Sequence, residues 1–174
     1  QGTYQLVVLP PEATAAPRPK DVVLLLDRSG SMGGWKMVAA RRAAARVIDT
    51  LTAADRFSVI TFDHVVEWPE RLGSTLVDAT DRNRYRAVEH LARADARGGT
   101  ELLSPLTTAL ALLSDNPGRD RVLVLVTDGQ VGNEQAIIET MKPLPHLRVF
   151  CYGIDVAVND AFLRQFAAQQ RGAC

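Results

Sequence analysis

Residues 22–26 read V-V-L-L-L, an apolar run with no alternation, and the next five read D-R-S-G-S. An uninterrupted run of this length is the pattern of a strand buried on both faces, as in a parallel sheet. Where it stops, Asp27, Ser29 and Ser31 present a carboxylate and two hydroxyls, and Gly30 lets the backbone turn tightly between them. Ligands of open α/β sheets bind beyond the carboxyl ends of the strands, so these oxygens lie where such a fold places its chemistry. Oxygen donors of this kind suit magnesium, calcium or manganese rather than zinc.

The rest of the chain alternates strands with helices. Tyr4–Leu9 has strand composition and is cut off by Pro10-Pro11; the Ala/Pro stretch to Pro19 reads as a linker. Residues 1–20 are therefore expected to be a strand and linker from a preceding domain, or a sheet edge, and residues 21–174 one domain. A helix from Trp35 to about Leu51 buries Met37, Ala40, Ala44, Val47, Ile48 and Leu51 on one face. Phe57–Phe62 is a second strand, and Val65–Trp68 follows closely enough to form an antiparallel hairpin with it. Asp81 is expected to cap a helix from Arg82 to about Ala94 with Tyr85, Val88 and Leu91 inward. After the Gly98-Gly99-Thr100 turn, Ser104-Pro105 reads as the cap and first residue of a helix burying Leu106, Ala109, Leu110 and Leu113. Asn116-Pro117-Gly118 closes it.

Val122–Val126 is a second wholly apolar strand, and it too ends in acid, at Thr127-Asp128-Gly129. A short helix is expected over Glu134–Met141 behind Asn133, then a strand over Arg148–Tyr152. The last helix is capped by Asn159, buries Phe162, Leu163, Phe166 and Ala167, and ends at Gly172. This order predicts an α/β fold: a doubly wound, mostly parallel sheet with one antiparallel edge strand and helices on both faces. In such a sheet the first strand and the strand reached after the crossover are neighbours at the switch point. Asp27 and Asp128 then face one crevice, and the Gly98-Gly99 turn can bring Thr100 to its rim. The expected metal site is Asp27, Ser29, Ser31, Thr100 and Asp128. Any one of these residues alone reads as a cap or turn residue; it is their joint placement that points to an ion.

Bulk properties exclude some partners. Lys+Arg and Asp+Glu both number 20, so no net charge attracts nucleic acid or an anionic membrane. No apolar run approaches the roughly 20 residues of a membrane-spanning helix. Residue 1 is Gln and no leader is visible, so the chain is expected to be part of a longer protein. The arginines fall along helix exteriors and read as solvated. Of His64, His90 and His146, only His64 would reach the crevice, and only if Phe57–Phe62 is parallel. Glu101 either reads charge at the rim or begins a helix. Cys151 reads as a buried free thiol; a disulfide with Cys174 stays open.

The D-x-S-x-S of residues 27–31, Thr100, and Asp128 in its T-D-G context resemble, at all five positions, the metal-ion-dependent adhesion site of the von Willebrand factor type A (vWA) domain. The resemblance runs from about Asp21 to Gly172. G-G-T-E-L at 98–102, T-D-G-Q at 127–130 and Y-G-I-D-x-x-V-N at 152–159 are most similar to the inter-α-trypsin-inhibitor heavy-chain group and its bacterial relatives. Asp155 stands where these relatives often have glycine, at a position read as lying away from the metal site. The family usually has one more strand, so the edge reached at Cys174 is expected to be incomplete. The resemblance implies a Rossmann-like fold in which the serines and threonine bind magnesium (or calcium or manganese) directly while the aspartates often act through water.

The implied function is protein binding rather than catalysis, with a partner Asp or Glu replacing a metal-bound water. A secreted or cell-surface setting is favoured over the cytoplasm. The alternative is a magnesium-dependent phosphohydrolase with Asp27 as nucleophile, but Ser29 stands where that chemistry calls for a second Asp. No phosphate-binding glycine loop follows any strand, which weighs against nucleotide binding.

Overall fold

The computed structural model describes residues 18–113, 116, 118–140, 146–156 and 158–174. Tyr4–Leu9 and the linker as far as residue 17 lie outside these, as do Met141 and Pro143. Strand β1 (Lys20–Asp27) is followed by a 3-10 turn at Gly30–Met32 and helix α1 (Trp35–Asp49). Then come β2 (Arg56–Phe62), β3 (Val66–Glu67), β4 (Val77–Asp78), α2 (Asp81–Arg93) and α3 (Leu103–Leu112). The described chain continues with β5 (Asp120–Thr127), α4 (Glu134–Thr140), β6 (Leu147–Gly153) and α5 (Asp160–Gln169).

The sheet order is β3-β2-β1-β5-β6, with β4 also paired to β2. β1 is parallel to β2 on one side (Leu24 opposite Val59) and to β5 on the other (Leu24 opposite Val124). β6 continues the parallel sheet beside β5, while β3 and β4 are antiparallel to the two ends of β2. The expected α/β class and the antiparallel edge hold. β4 is an addition; two residues are too short to announce themselves by alternation.

Because side chains alternate across a strand, the apolar run of β1 divides between two cores. Val22, Leu24 and Leu26 join Phe57, Val59, Val122, Val124 and Val126 beneath α1 and α2. Val23 and Leu25 join Ile60, Phe62, Leu123 and Leu125 beneath α3, α4 and α5. Each fully buried Leu or Phe contributes about 2 kcal/mol by removal from water, so the run that defines the strand also holds both helical layers to it.

Several local expectations give way. Thr80, not Asp81, caps α2: its side chain accepts from Asn83 N at 3.3 Å. Tyr85 is exposed, Val88 is half-buried, and Ala87, Leu91 and Ala94 line the inner face, because the buried stripe follows the small residue at 87 toward α1. α3 begins at Leu103, behind a non-capping Leu102, with Pro105 in its third position. Glu101 Oε1, from two residues before the helix, accepts from Ser104 N at 3.1 Å, so Glu101 serves the start of α3. Leu110 is only half-buried. The α5 face is as expected; on α1 Met37, Ala40, Ala44 and Ile48 are buried, but Val47 is only half-buried and Leu51, though buried, lies beyond the helix end at Asp49. Asn159 accepts from Phe162 N at 3.4 Å. Beyond α5, Ala173 forms a single parallel bridge with Phe150 at the outer edge of β6.

Candidate metal centre

β1 and β5 end side by side, and at their carboxyl ends Asp27, Thr127 and the following Asp128 are each 0% exposed. The Asp27 carboxylate is fixed at both oxygens. Oδ1 accepts from Ser29 N at 2.8 Å and Oδ2 from the Thr127 hydroxyl at 2.6 Å. Thr127 Oγ1 in turn accepts from Gly129 N at 3.0 Å, which seats the second turn against the first. Burial pushes the Asp27 carboxyl above its ordinary range, against the lowering effect of these hydrogen bonds, and the nearby Asp128 charge pushes the same way. Ser29 and Ser31 hydroxyls stand 3.1 Å apart on the turn after β1. Asp128 Oδ1 accepts from Gln130 N at 3.1 Å, and its Oδ2 accepts from Lys36 Nζ at 3.2 Å.

Thr100 belongs to a third loop, which is strapped to the turn after β1 and to the loop after β2. Arg97 N donates to Arg28 O at 2.7 Å, Gly30 N to Gly98 O at 3.0 Å, and Glu101 N to Asp63 O at 2.9 Å. Gly98 adopts φ +68°, and a Cβ there would lie 2.5 Å from His64 Nδ1, so only glycine lets the loop pass this close. Thr100 itself is half-buried.

Behind these loops lies an ion-pair network of a kind that the reading of the arginines as solvated faces missed. Arg28, 5% exposed, donates from Nη1 to Glu67 Oε2 at 2.7 Å, and its Nε lies 3.4 Å from Asp63 Oδ2. Arg97 Nε donates to the same Asp63 oxygen at 3.0 Å, and its Nη2 also reaches Glu67. Burial alone would raise the Asp63 carboxyl, but the Val65 amide, Arg97 and Arg28 outweigh it and hold it below its usual range. Since β2 is parallel to β1, His64 does sit at the crevice end, with Nδ1 3.3 Å from Asp63 Oδ1. His90 bonds Thr61 instead, its Nε2 3.2 Å from Oγ1, and burial lowers its pKa.

Asp155 corrects an expectation. It does not lie away from the site: its Oδ2 accepts from Lys36 Nζ at 3.1 Å, so one ammonium joins it to Asp128. The donor chemistry of these loops, hydroxyls beside two buried carboxylates, fits a hard cation. Among the described residues no group of three or more His, Cys, Asp or Glu could hold a metal, so an ion here would depend on the hydroxyls.

Residues 21–174 match the model of the von Willebrand factor type A domain. The chain is 35% identical over 168 residues to the voltage-dependent calcium channel subunit alpha-2/delta-3 of Rattus norvegicus, covering 91% of this chain and 15% of that protein. It is 31% identical over 168 residues to human (Homo sapiens) inter-alpha-trypsin inhibitor heavy chain H4, covering 88% and 18%. Among solved structures it is similar to a von Willebrand factor type A protein from Catenulispora acidiphila, with a TM-score of 0.76 and 28% identity over 89% of this chain and 38% of that one. The chain thus spans less than a fifth of the two curated relatives.

Proposed function

Since the chain belongs to the von Willebrand factor type A domain family, we propose that it is a divalent-metal-dependent protein-binding module whose partner supplies an Asp or Glu side chain to the ion. Asp27, Ser29, Ser31, Thr100 and Asp128 would hold magnesium, with calcium or manganese as alternatives. The observation that carries this reading is the meeting of two fully buried carboxylates and paired serine hydroxyls at the ends of adjacent parallel strands. A bound ion would supply Lewis acidity toward a visiting carboxylate oxygen. The chain's own part is preorganisation: Ser29 N and Thr127 fix Asp27, Gln130 N fixes Asp128, and the straps at Arg97, Gly98 and Glu101 hold the Thr100 loop. Three of the five donors are neutral, so an acidic side chain gains a strong charge-assisted contact where water gains little.

The reading is of a binding module rather than an enzyme. A phosphohydrolase would need a free Asp27 oxygen aimed at phosphorus, whereas both oxygens accept hydrogen bonds and the residue is fully buried. The small share of each relative that the chain spans supports its being one part of a longer multidomain protein. Its likeness to an inter-alpha-trypsin inhibitor heavy chain supports a secreted or cell-surface setting. No helix among the described residues is long and apolar enough to cross a membrane.

Protein capture by the full-length parent, with and without chelator, tests the proposal. Capture should need a divalent ion and vanish in Asp27→Ala and in Thr100→Ala, with far-ultraviolet circular dichroism unchanged. Capture that survives both chelator and substitution overturns it. A covalent adduct trapped at Asp27 by a phosphate mimic under magnesium would favour the hydrolase instead.

A further inference from the structure

The second residue of α1 reaches across to two loops. Lys36, with its side chain 14% exposed, places one ammonium 3.2 Å from Asp128 Oδ2 and 3.1 Å from Asp155 Oδ2. Asp128 has its other oxygen on Gln130 N, and Asp155 has its other oxygen on Val156 N at 2.7 Å, so both carboxylates are oriented by backbone amides. One positive charge is therefore divided between two anions, only one of which belongs to the metal site proposed above.

We propose that Asp155 sets the affinity of that site for its divalent cation by drawing the Lys36 ammonium away from Asp128. This rests on the metal reading of Asp27, Ser29, Ser31, Thr100 and Asp128. An ammonium resting on Asp128 alone opposes the ion twice: it neutralises the anion that the ion needs, and it repels the ion directly. With water largely excluded, charges a few ångströms apart interact several times more strongly than in bulk water. Asp155 takes a share of the ammonium and returns charge to Asp128. Lys36 in turn keeps the loops after β5 and β6 together by offsetting the repulsion between their carboxylates. Asp155 is an affinity-setting residue that acts through Lys36, not a ligand.

Calorimetric titration of magnesium chloride into the 174-residue chain tests this with the wild type, Asp155→Asn, Lys36→Met and the double variant, each checked for an unchanged circular dichroism spectrum. Asp155→Asn should weaken magnesium binding roughly fivefold, and Lys36→Met should strengthen it by a similar factor. The decisive readout is the coupling: in the Lys36→Met background, Asp155→Asn should lose less than half as much. Equal losses in the two backgrounds would mean that Asp155 acts by its own charge alone and would overturn the proposal, as would no loss in the wild-type background. A wild-type chain that takes up no magnesium would fail the metal reading itself, a result distinct from binding that is intact but indifferent to Asp155.

Discussion

The Cys151 thiol illustrates how far a position alone decides reactivity. It lies in the middle of β6, 4% exposed, and burial pushes its pKa up to about 12. At pH 8 only about one molecule in ten thousand carries the thiolate, the form that reacts with alkylating agents. Cys174 is free as well but exposed. Native alkylation at pH 8 followed by mass spectrometry should therefore label Cys174 alone, with Cys151 reacting only after denaturation. The five proposed ligand residues were legible for a related reason: each is polar at a point where an apolar run or glycine turn stops, and that contrast is local. Lys36 and Asp155 were not, since no spacing connects position 36 to positions 128 and 155. Their meeting depends on how β5 and β6 align. Thr127 stood in plain view beside Asp128, yet its task of holding Asp27 emerges only once β1 and β5 are neighbours.

Among the elements, the short connection between α2 and α3 depends on charges brought by others. Asp63, from the end of β2, accepts from Arg97 with its carboxylate and from Glu101 N with its carbonyl, bracketing Thr100 on both sides. Asp63→Asn keeps the shape but deprives buried Arg28 of one of its two anions. Breaking a buried pair in this way costs about 3 kcal/mol. Chemical denaturation should show that loss, and magnesium titration should show weaker uptake through a loosened Thr100 loop. A variant as stable as the wild type would show that the network carries no weight. Thr80, next to Asp81, and Glu101, three residues before Ser104, displaced the expected caps because their side-chain oxygens reach free amides of the first turn. Sequence pattern finds the helix in such cases but does not choose between neighbours.

For the molecule as a whole, acidity should act mainly through salt-bridged and hydrogen-bonded carboxylates. Burial would raise Asp21, but hydrogen bonds from Arg56 and Arg119 outweigh it and hold it below its ordinary value. Asp55 and Asp63 are likewise held low against burial, and Glu67 chiefly by Arg28. A depressed carboxyl contributes stability that is complete above its unfolded value of about 4 and is lost as pH falls through the folded value. Asp27 has the opposite sign, since its raised pKa favours the protonated form in the fold. The four depressed groups outnumber it, so thermal midpoints should fall steadily below about pH 4. Asp21→Asn should flatten that decline, and a midpoint indifferent to acid would contradict this account.

The adjacency of β1 and β5 followed from two apolar runs ending in acid, whereas β4 and the bridge at Ala173 left no such trace. β1 is hydrogen-bonded along nearly its whole length to parallel strands on both sides, and its amino end, at Lys20, is the pole opposite the proposed ion. A pull applied at Lys20 would run along that strand toward the crevice and load both flanking ladders together in shear, rather than unzipping one rung at a time. A tether at that end and a grip at the other are geometrically suited to bearing tension.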